Sequence, residues 1–286
     1  MLFNKNQTTL IQFPGGQGGS YTVPNSVTSI GDNAFSHCSS LSSVIIPNSV
    51  TNIVGPAFGA CPSLTAITVD AGNSFYSSVN GVLFDKSQST LIQFPGGQGG
   101  SYAIPQSVTS IGPEAFDGCA KLTGVTIPNG VTRIGGNAFY FCTGLTNLII
   151  PSSVTNVESS AFFNCSSLRS VYFQGNAPND TGDAFTLDNN IVYYLPGTAG
   201  WGSTFGGNST VLWNPQATTP GISGSQFGFN ITGLSNAVIV VLACTNLANP
   251  IWVPVSTNSL GASGTSSFSD SQSASCPARF YRFRSP

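Results

Sequence analysis

Seven cysteines, one histidine and ten carboxylates are the side chains of this 286-residue chain with the most scope for chemistry beyond packing. Closely paired thiolates hold metals, and a Cys or Ser beside a His makes a nucleophile and its base. Neither pattern is present. Cys38, Cys61, Cys119, Cys142 and Cys165 recur at one position of a long period, without a Cys-x-x-Cys pair and without a partner histidine. Such a row reads as small buried side chains whose weak S–H donors turn to loop carbonyls. Cys244 and Cys276 stand outside it, and a bridge between them stays open; seven is odd, so at least one thiol lacks an intramolecular partner. His37 has Ala60, Gly118, Phe141 and Asn164 as counterparts, which marks an exposed, variable loop position.

The carboxylates are dispersed. Asp180, Asp183 and Asp188 form the one local cluster, and their spacing matches no EF-hand calcium loop. Glycoside hydrolysis needs two carboxyl groups within about 10 Å, and the only glutamates, Glu114 and Glu158, sit at variable positions. The string FPGGQGGSY, at residues 13–21 and again at 94–102, invites a phosphate-cradle reading. No Lys-Ser/Thr or helix start follows it, so it reads as a flexible loop between repeats. No metal, cofactor or catalytic centre is therefore expected.

Composition narrows the class further. Charged residues make up 6% of the chain, against about 25% in an average soluble domain, and mean hydropathy is +0.16. With Lys+Arg 8 against Asp+Glu 10 and no basic run, a nucleic-acid partner is not expected. The longest apolar run, residues 237–244, is far below the roughly 20 residues of a membrane-spanning helix and reads as a buried strand.

The elements that must position these residues follow from a repeat. A shift of 81 residues lays the first 30 residues over the block that begins at Val82, and inside it lies a 23-residue unit beginning at Pro24, Pro47, Pro105, Pro128 and Pro151. Every unit carries Val at its fourth position, Ile or Val at its seventh, and then Ala-Phe (Phe35, Phe58, Phe116, Phe139, Phe162), Cys and Leu at steps of three. Leu-x-x-Val-x-Ile alternates like a half-buried strand, and Pro stops its ladder. The Ser-Val-Thr-Ser-Ile-Gly piece is a second extended segment, and the Ala-Phe-x-x-Cys segment a tight helical turn or loop. One unit cannot bury its own apolar residues; stacking turns them into internal ladders. Unit two has Val54 where others have Gly and continues with Gly55, so its turn is expected to shift by one residue.

This unit resembles the leucine-rich repeats of BspA-like bacterial surface proteins, in which Ile-Pro-x-x-Val-x-x-Ile-Gly-x-x-Ala-Phe-x-x-Cys-x-x-Leu recurs. The resemblance spans roughly residues 1–174. It implies an exported, surface-associated solenoid used for adhesion or binding, without enzyme activity.

The expected fold is mainly β: a solenoid over residues 1–174 with a 35-residue variant repeat at 70–104, a cap at 175–215 using Trp201, Phe205 and Trp213, a linker at 216–226, and a small antiparallel β-sandwich at 227–286. In the variant repeat, GVLFD and TLIQFP form a hairpin. The terminal module is similar to those appended to some secreted bacterial repeat proteins, and its last strand, with Arg279, Arg282 and Arg284, reads as a charge-guarded edge. No signal peptide is visible, and Met1 aligns with Val82, so the chain opens halfway through a repeat with an incompletely capped first rung expected.

The outward rows of the long strands supply the candidate recognition face. Ser43, Ala66, Gly124, Asn147 and Ser170 form one row, Ile45, Thr68, Thr126, Ile149 and Tyr172 the next, with Arg169 at the carboxyl end. Hydroxyls, an amide and one aromatic suit a glycan or a protein partner. The expected function is thus recognition by a monomeric extracellular or cell-surface protein; a structural spacer is the alternative and a carbohydrate-active enzyme the third reading.

Overall fold

A computed structural model of the protein describes residues 1–233, 237–276 and 278–284. In the strand Leu41–Ile46, Leu41, Val44 and Ile46 are fully buried, and this strand pairs in parallel with Gly19–Thr22 before it and Ala66–Val69 after it. The register advances by one unit, Ser43 facing Ala66 and, further on, Asn147 facing Ser170. The second extended segment makes two-residue parallel strands, from Ser29–Ile30 and Asn52–Ile53 to Ser110–Ile111, Arg133–Ile134 and Asn156–Val157.

The Ala-Phe-x-x-Cys segments are hydrogen-bonded turns and not helical. The residue two after each Phe has positive φ: His37 59°, Ala60 52°, Gly118 68°, Phe141 55° and Asn164 53°. Each such residue ends a right-handed helix before it can propagate, and neighbouring amides bond instead to the next rung, as Phe35 N–H does to the Ala57 carbonyl at 2.8 Å. Unit two shows the expected shift: the first positive-φ residue is Gly55 (57°), because Pro56 occupies the place taken by Asn33 or Asn137 elsewhere and a proline ring forbids positive φ.

The stacked turns align the phenylalanines. Phe35 lies on Phe58 with centroids 4.9 Å apart, and Phe116, Phe139, Phe162 and Phe185 continue at 4.7, 5.2 and 4.9 Å with nearly parallel planes. All six are at most 1% exposed. The repeat cysteines are buried free thiols, with Sγ 2.9 Å from the Phe35 carbonyl for Cys61 and 3.1 Å from the Phe116 and Phe139 carbonyls for Cys142 and Cys165. Burial pushes the Cys61 thiol up to about 12 and Cys142 and Cys165 well above their ordinary range, so these sulfurs stay protonated and inert.

The core falls into two clusters, and the variant repeat is the seam between them. Val82–Asp85 and Thr90–Gln93 form the expected antiparallel hairpin, and Tyr76–Val79 adds a third antiparallel strand. Fully buried Asn73 satisfies the interrupted backbone: its Nδ2 donates to the Pro47 and Val50 carbonyls, and its Oδ1 accepts from the Phe75 and Tyr76 amides. The Tyr76 hydroxyl accepts from Ile53 N–H at 2.8 Å, where a next parallel strand would have stood. Both glycine strings are hydrogen-bonded turns, closed by Gln17 N–H to Pro14 and Gln98 N–H to Pro95.

Ile191–Tyr194 is one more strand of the stack, paired in parallel with Ser170–Phe173. Trp201 and Phe205 then pack on Phe173 at 5.0 and 5.1 Å. The chain divides into two compact units, one made of Met1–Tyr194 with Thr198–Val211, the other of Leu195–Gly197 with Leu212–Pro286; Trp213 thus belongs to the second.

That unit contains two three-stranded antiparallel sheets joined by Phe227, Phe229, Phe268, Tyr281 and Phe283. The stretch expected as a linker, 216–226, is largely the strand Gln216–Ser223, paired with Gln226–Thr232. Its Pro220 is tolerated because it lies inside the register shift between Thr218 and Gly221. Phe280–Arg284 is a sheet edge, Arg282 lies over Trp252 at 4.5 Å, and Arg279 turns inward to Asp270 at 2.5 Å. Cys244 and Cys276 are both free thiols. Of the module expected at 227–286, residues 234–236, 277, 285 and 286 lie outside the described residues.

Candidate functional site

The structure breaks the predicted strand face into separate sheets. Ser43, Ile45 and Thr68 belong to a three-stranded sheet, Thr126 to the pair Gly100–Ala103 and Leu122–Thr126, and Asn147, Ile149, Ser170 and Tyr172 to a five-stranded sheet that Arg169 precedes. The variant repeat causes the first of these breaks: Ile67 N–H and Val69 N–H bond to the Gly81 carbonyl and the Ser78 hydroxyl in place of a parallel strand. Thr68, Thr126, Asn147 and Arg169 are exposed, Ile45 is 40% exposed, and Ser43 and Ile149 are half-buried. Two members of the face do not reach solvent. Ser170 is 9% exposed and donates to Asn147 Oδ1 at 2.6 Å; Tyr172 is 5% exposed and stacks on Tyr193 at 4.8 Å, both phenols pushed up by burial.

A second surface, on the turn side, is a groove of about 970 Å³ crossing the turns of all five Pro-initiated units. It exists because the second glycine string turns without an Ala-Phe-x-x-Cys segment. The turn of unit two therefore meets that of unit three directly, Ala60 N–H reaching the Asp117 carbonyl at 3.4 Å, and a Cβ at Gly118 would lie 2.8 Å from Ala60 Cα. Gln98 Nε2, bonded to the Thr65 and Asn80 carbonyls, and Lys121 Nζ, bonded to the Pro62 carbonyl at 3.1 Å, hold this junction.

The groove is graded along its length. Asn33, Ser36 and His37 line one end, Glu114 and Asp117 the middle, and Tyr140, Phe141 and Phe163 the other end. Tyr140 stacks on Phe163 at 4.8 Å and meets Phe141, itself 40% exposed, at 4.7 Å. Burial, and then the charge of Glu114, raise Asp117 to about 6, with His37 opposing. Glu114 is raised by burial and by Asp32, against a hydrogen bond from Asn137 and the influence of His37. Among the described residues the side-chain ion pairs are Arg133–Glu158 and Arg279–Asp270, so the groove acids are not among them.

Read from the sequence, His37 and Glu114 were isolated variable positions. A signal was available in the residue after each Phe, which runs Ser36, Gly59, Asp117, Tyr140, Phe163 while the Ala-Phe before it and the Cys two residues after it stay constant.

The Asp180, Asp183 and Asp188 cluster is divided among separate tasks. Asp180 accepts from Gly206 N–H at 2.8 Å; Asp183 is held below its ordinary range by the hydroxyls of Ser159 and Thr181; Asp188 is buried, which pushes it up to about 7. Among the described residues, no three His, Cys, Asp or Glu side chains gather closely enough to hold a metal ion.

The sequence profile of the BspA type leucine-rich repeat region matches residues 17–100 and 93–193, with six copies. No curated protein matches the chain. Among crystal structures, a leucine-rich repeat protein from Eubacterium ventriosum is similar at 24% identity and a TM-score of 0.52, over 62% of this chain and 60% of its own. A leucine-rich cell surface protein from Faecalibacterium prausnitzii shares 29% identity at a TM-score of 0.46, over 60% of this chain and 52% of its own. The chain thus spans between half and two thirds of the length of these relatives. With the repeat profile covering more than half of its residues and the 23-residue units stacked in parallel, the chain belongs to the BspA-type leucine-rich repeat family.

Proposed function

We propose that the protein is a non-enzymatic recognition protein, exported to the bacterial surface or beyond it, that binds a partner protein or glycan with side chains presented by its rungs. The observation that carries this reading is the division of labour within each unit. Phe, Cys, Val and Leu positions are constant and buried, whereas the two outward rows change, through Ile45, Thr68, Thr126 and Ile149 in one and Ser43, Ala66, Gly124 and Asn147 in the other, with Ile45, Thr68, Thr126 and Asn147 exposed. A stack that keeps its interior fixed while its surface changes from rung to rung is suited to extended recognition.

A spacer role is favoured by one observation: burial of Ser170 and Tyr172 removes the aromatic from the strand face. Arraying the purified protein against glycans and against host and cell-wall proteins separates the two. Recognition by this face predicts saturable binding that Thr126→Arg with Asn147→Arg weakens by about tenfold or more, as expected when a contact surface receives unpaired charge. Silence across both arrays supports the spacer, and hydrolysis abolished by a carboxylate substitution would establish an enzyme.

A further inference from the structure

We propose that the turn-side groove binds an extended peptide segment carrying a basic side chain beside aromatic or aliphatic ones. This rests on reading the protein as a recognition module, and it names a partner class and a surface distinct from the strand face.

Three features converge on that ligand. The first is length. Five stacked turns at about 4.8 Å give a groove of roughly 19 Å, the reach of about six residues in extended conformation. The second is charge. Glu114 and Asp117 line the middle of the groove, with Asp32 acting on Glu114 from nearby, and the ion pairs among the described residues do not include them. Their carboxyls are partly withdrawn from water, so a guanidinium or ammonium entering the groove recovers attraction that solvent supplies poorly there. The third is the aromatic end. Phe141 presents 40% of its surface, and the Tyr140–Phe163 stack lies behind it. A face of this kind beside an acidic pair accepts an apolar residue next to a cation, or the cation itself.

A neutral saccharide fits less well. Tyr140 and Phe163 spend facing ring surface on each other, and the carboxyls are raised in a way that a cation relieves and a hydroxyl does not.

The probe is fluorescein-labelled Gly-Phe-Arg-Phe-Arg-Gly-amide, followed by fluorescence anisotropy with the full chain near neutral pH. The expected result is saturable binding at low salt that added salt weakens. Exchanging both arginines of the peptide for glutamate is expected to abolish binding, and Asp117→Asn or Glu114→Gln to weaken it about five- to tenfold, as for loss of one partly desolvated charge pair. Phe141→Ala, at an exposed position, should weaken it about three- to fivefold. Each variant is compared with the wild type by circular dichroism and melting temperature, so that loss of fold is separated from loss of contact.

Acidification supplies an independent readout. Asp117, at about 6, takes up its proton between pH 7 and pH 5, and protonation removes the charge the arginine meets. Glu114 faces it as the neighbouring acid, Asp32 acts on Glu114 and His37 acts on both carboxyls, so affinity falls with pH as Asp117 gains its proton. In Asp117→Asn this dependence flattens.

Equal binding of the glutamate peptide, or binding that folded Asp117→Asn and Phe141→Ala leave unchanged, overturns the proposal. Displacement of the bound peptide by cellohexaose, with cellohexaose binding more tightly and insensitive to salt, overturns it in favour of a saccharide. Failure of the peptide while array binding sensitive to Thr126 and Asn147 persists rejects the groove alone; peptide binding with silent arrays rejects the strand face alone.

Discussion

The two copies of FPGGQGGSY share every residue and differ in their surroundings. Both make the same turn, with Gly19 at φ 85° and Gly100 at φ 82°, and both bury the leading ring, Phe13 and Phe94 each being 1% exposed. In the first copy Pro14, Gly15 and Gly16 face solvent; in the second Pro95 and Gly96 are buried and Gly97 N–H bonds to the Leu64 carbonyl at 2.7 Å. Upstream, Gln12 is exposed, whereas Gln93 is 2% exposed and donates to the carbonyls of Phe94 and Ala115. Nine residues thus dictate a turn and an inward ring. Whether the remaining surface of that turn is wet depends on the rung beside it, because burial in a stack is a nearest-neighbour property.

The largest effect tests the part the copies share. Phe13→Ala and Phe94→Ala should each cost about 3–5 kcal/mol in urea unfolding and agree within about 1 kcal/mol, since each removes one fully buried ring from the stack. A much smaller cost for Phe13 would mean that the shared turn does not impose shared packing.

Next comes charge withdrawn from water, in half-buried Asp117 and buried Asp188, both downstream of the second copy. An acid whose folded value lies above its unfolded one holds its proton more tightly when folded, so this contribution favours the fold at low pH and is lost as pH rises from about 4 to 7. Asp188, 6% exposed and raised to about 7 by burial, with the Cys165 backbone opposing, dominates this window. Asp188→Asn should recover up to about 4 kcal/mol at pH 8 and flatten the slope of stability against pH. Melting curves between pH 4 and pH 8 decide the matter; an unchanged slope would show that Asp188 is hydrated.

The smallest effects separate the copies. A methyl group at Gly97 would meet the Leu64 carbonyl oxygen at 2.7 Å, whereas one at Gly16 meets nothing within 4 Å. Gly97→Ala should therefore cost about 1–3 kcal/mol by overpacking, and Gly16→Ala should stay within about 0.5 kcal/mol of the parent. Equal costs would mean that the junction at Gly97 yields.

Much of this was legible in the chain. The Phe and Cys ladders follow from recurrence at fixed spacing, and the displaced turn of unit two from Val54 and Gly55, because apolar periodicity and φ preference act locally. The strand face was read as continuous because spacing alone cannot show that Gly81 and Ser78 close one sheet before the next begins. Tyr172 was read as presented because alternation along a strand reports which side a residue takes and not what covers that side. Gln216–Ser223 was read as a linker because Thr, Pro and Gly suit loops, yet pairing with Gln226–Thr232 outweighs that composition.

By itself the sequence determined the unit: its length, its inward rings and thiols, its turns, and the parallel stacking that alone buries them. The tertiary structure decided where stacking is interrupted, which copy of a repeated string is sealed, and that Glu114, Asp117 and Phe141, distributed over two units, line one groove. Periodic patterns encode contacts between neighbours of like kind. A seam between unlike neighbours is settled only by which backbone groups and surfaces remain to be satisfied once the rungs have closed.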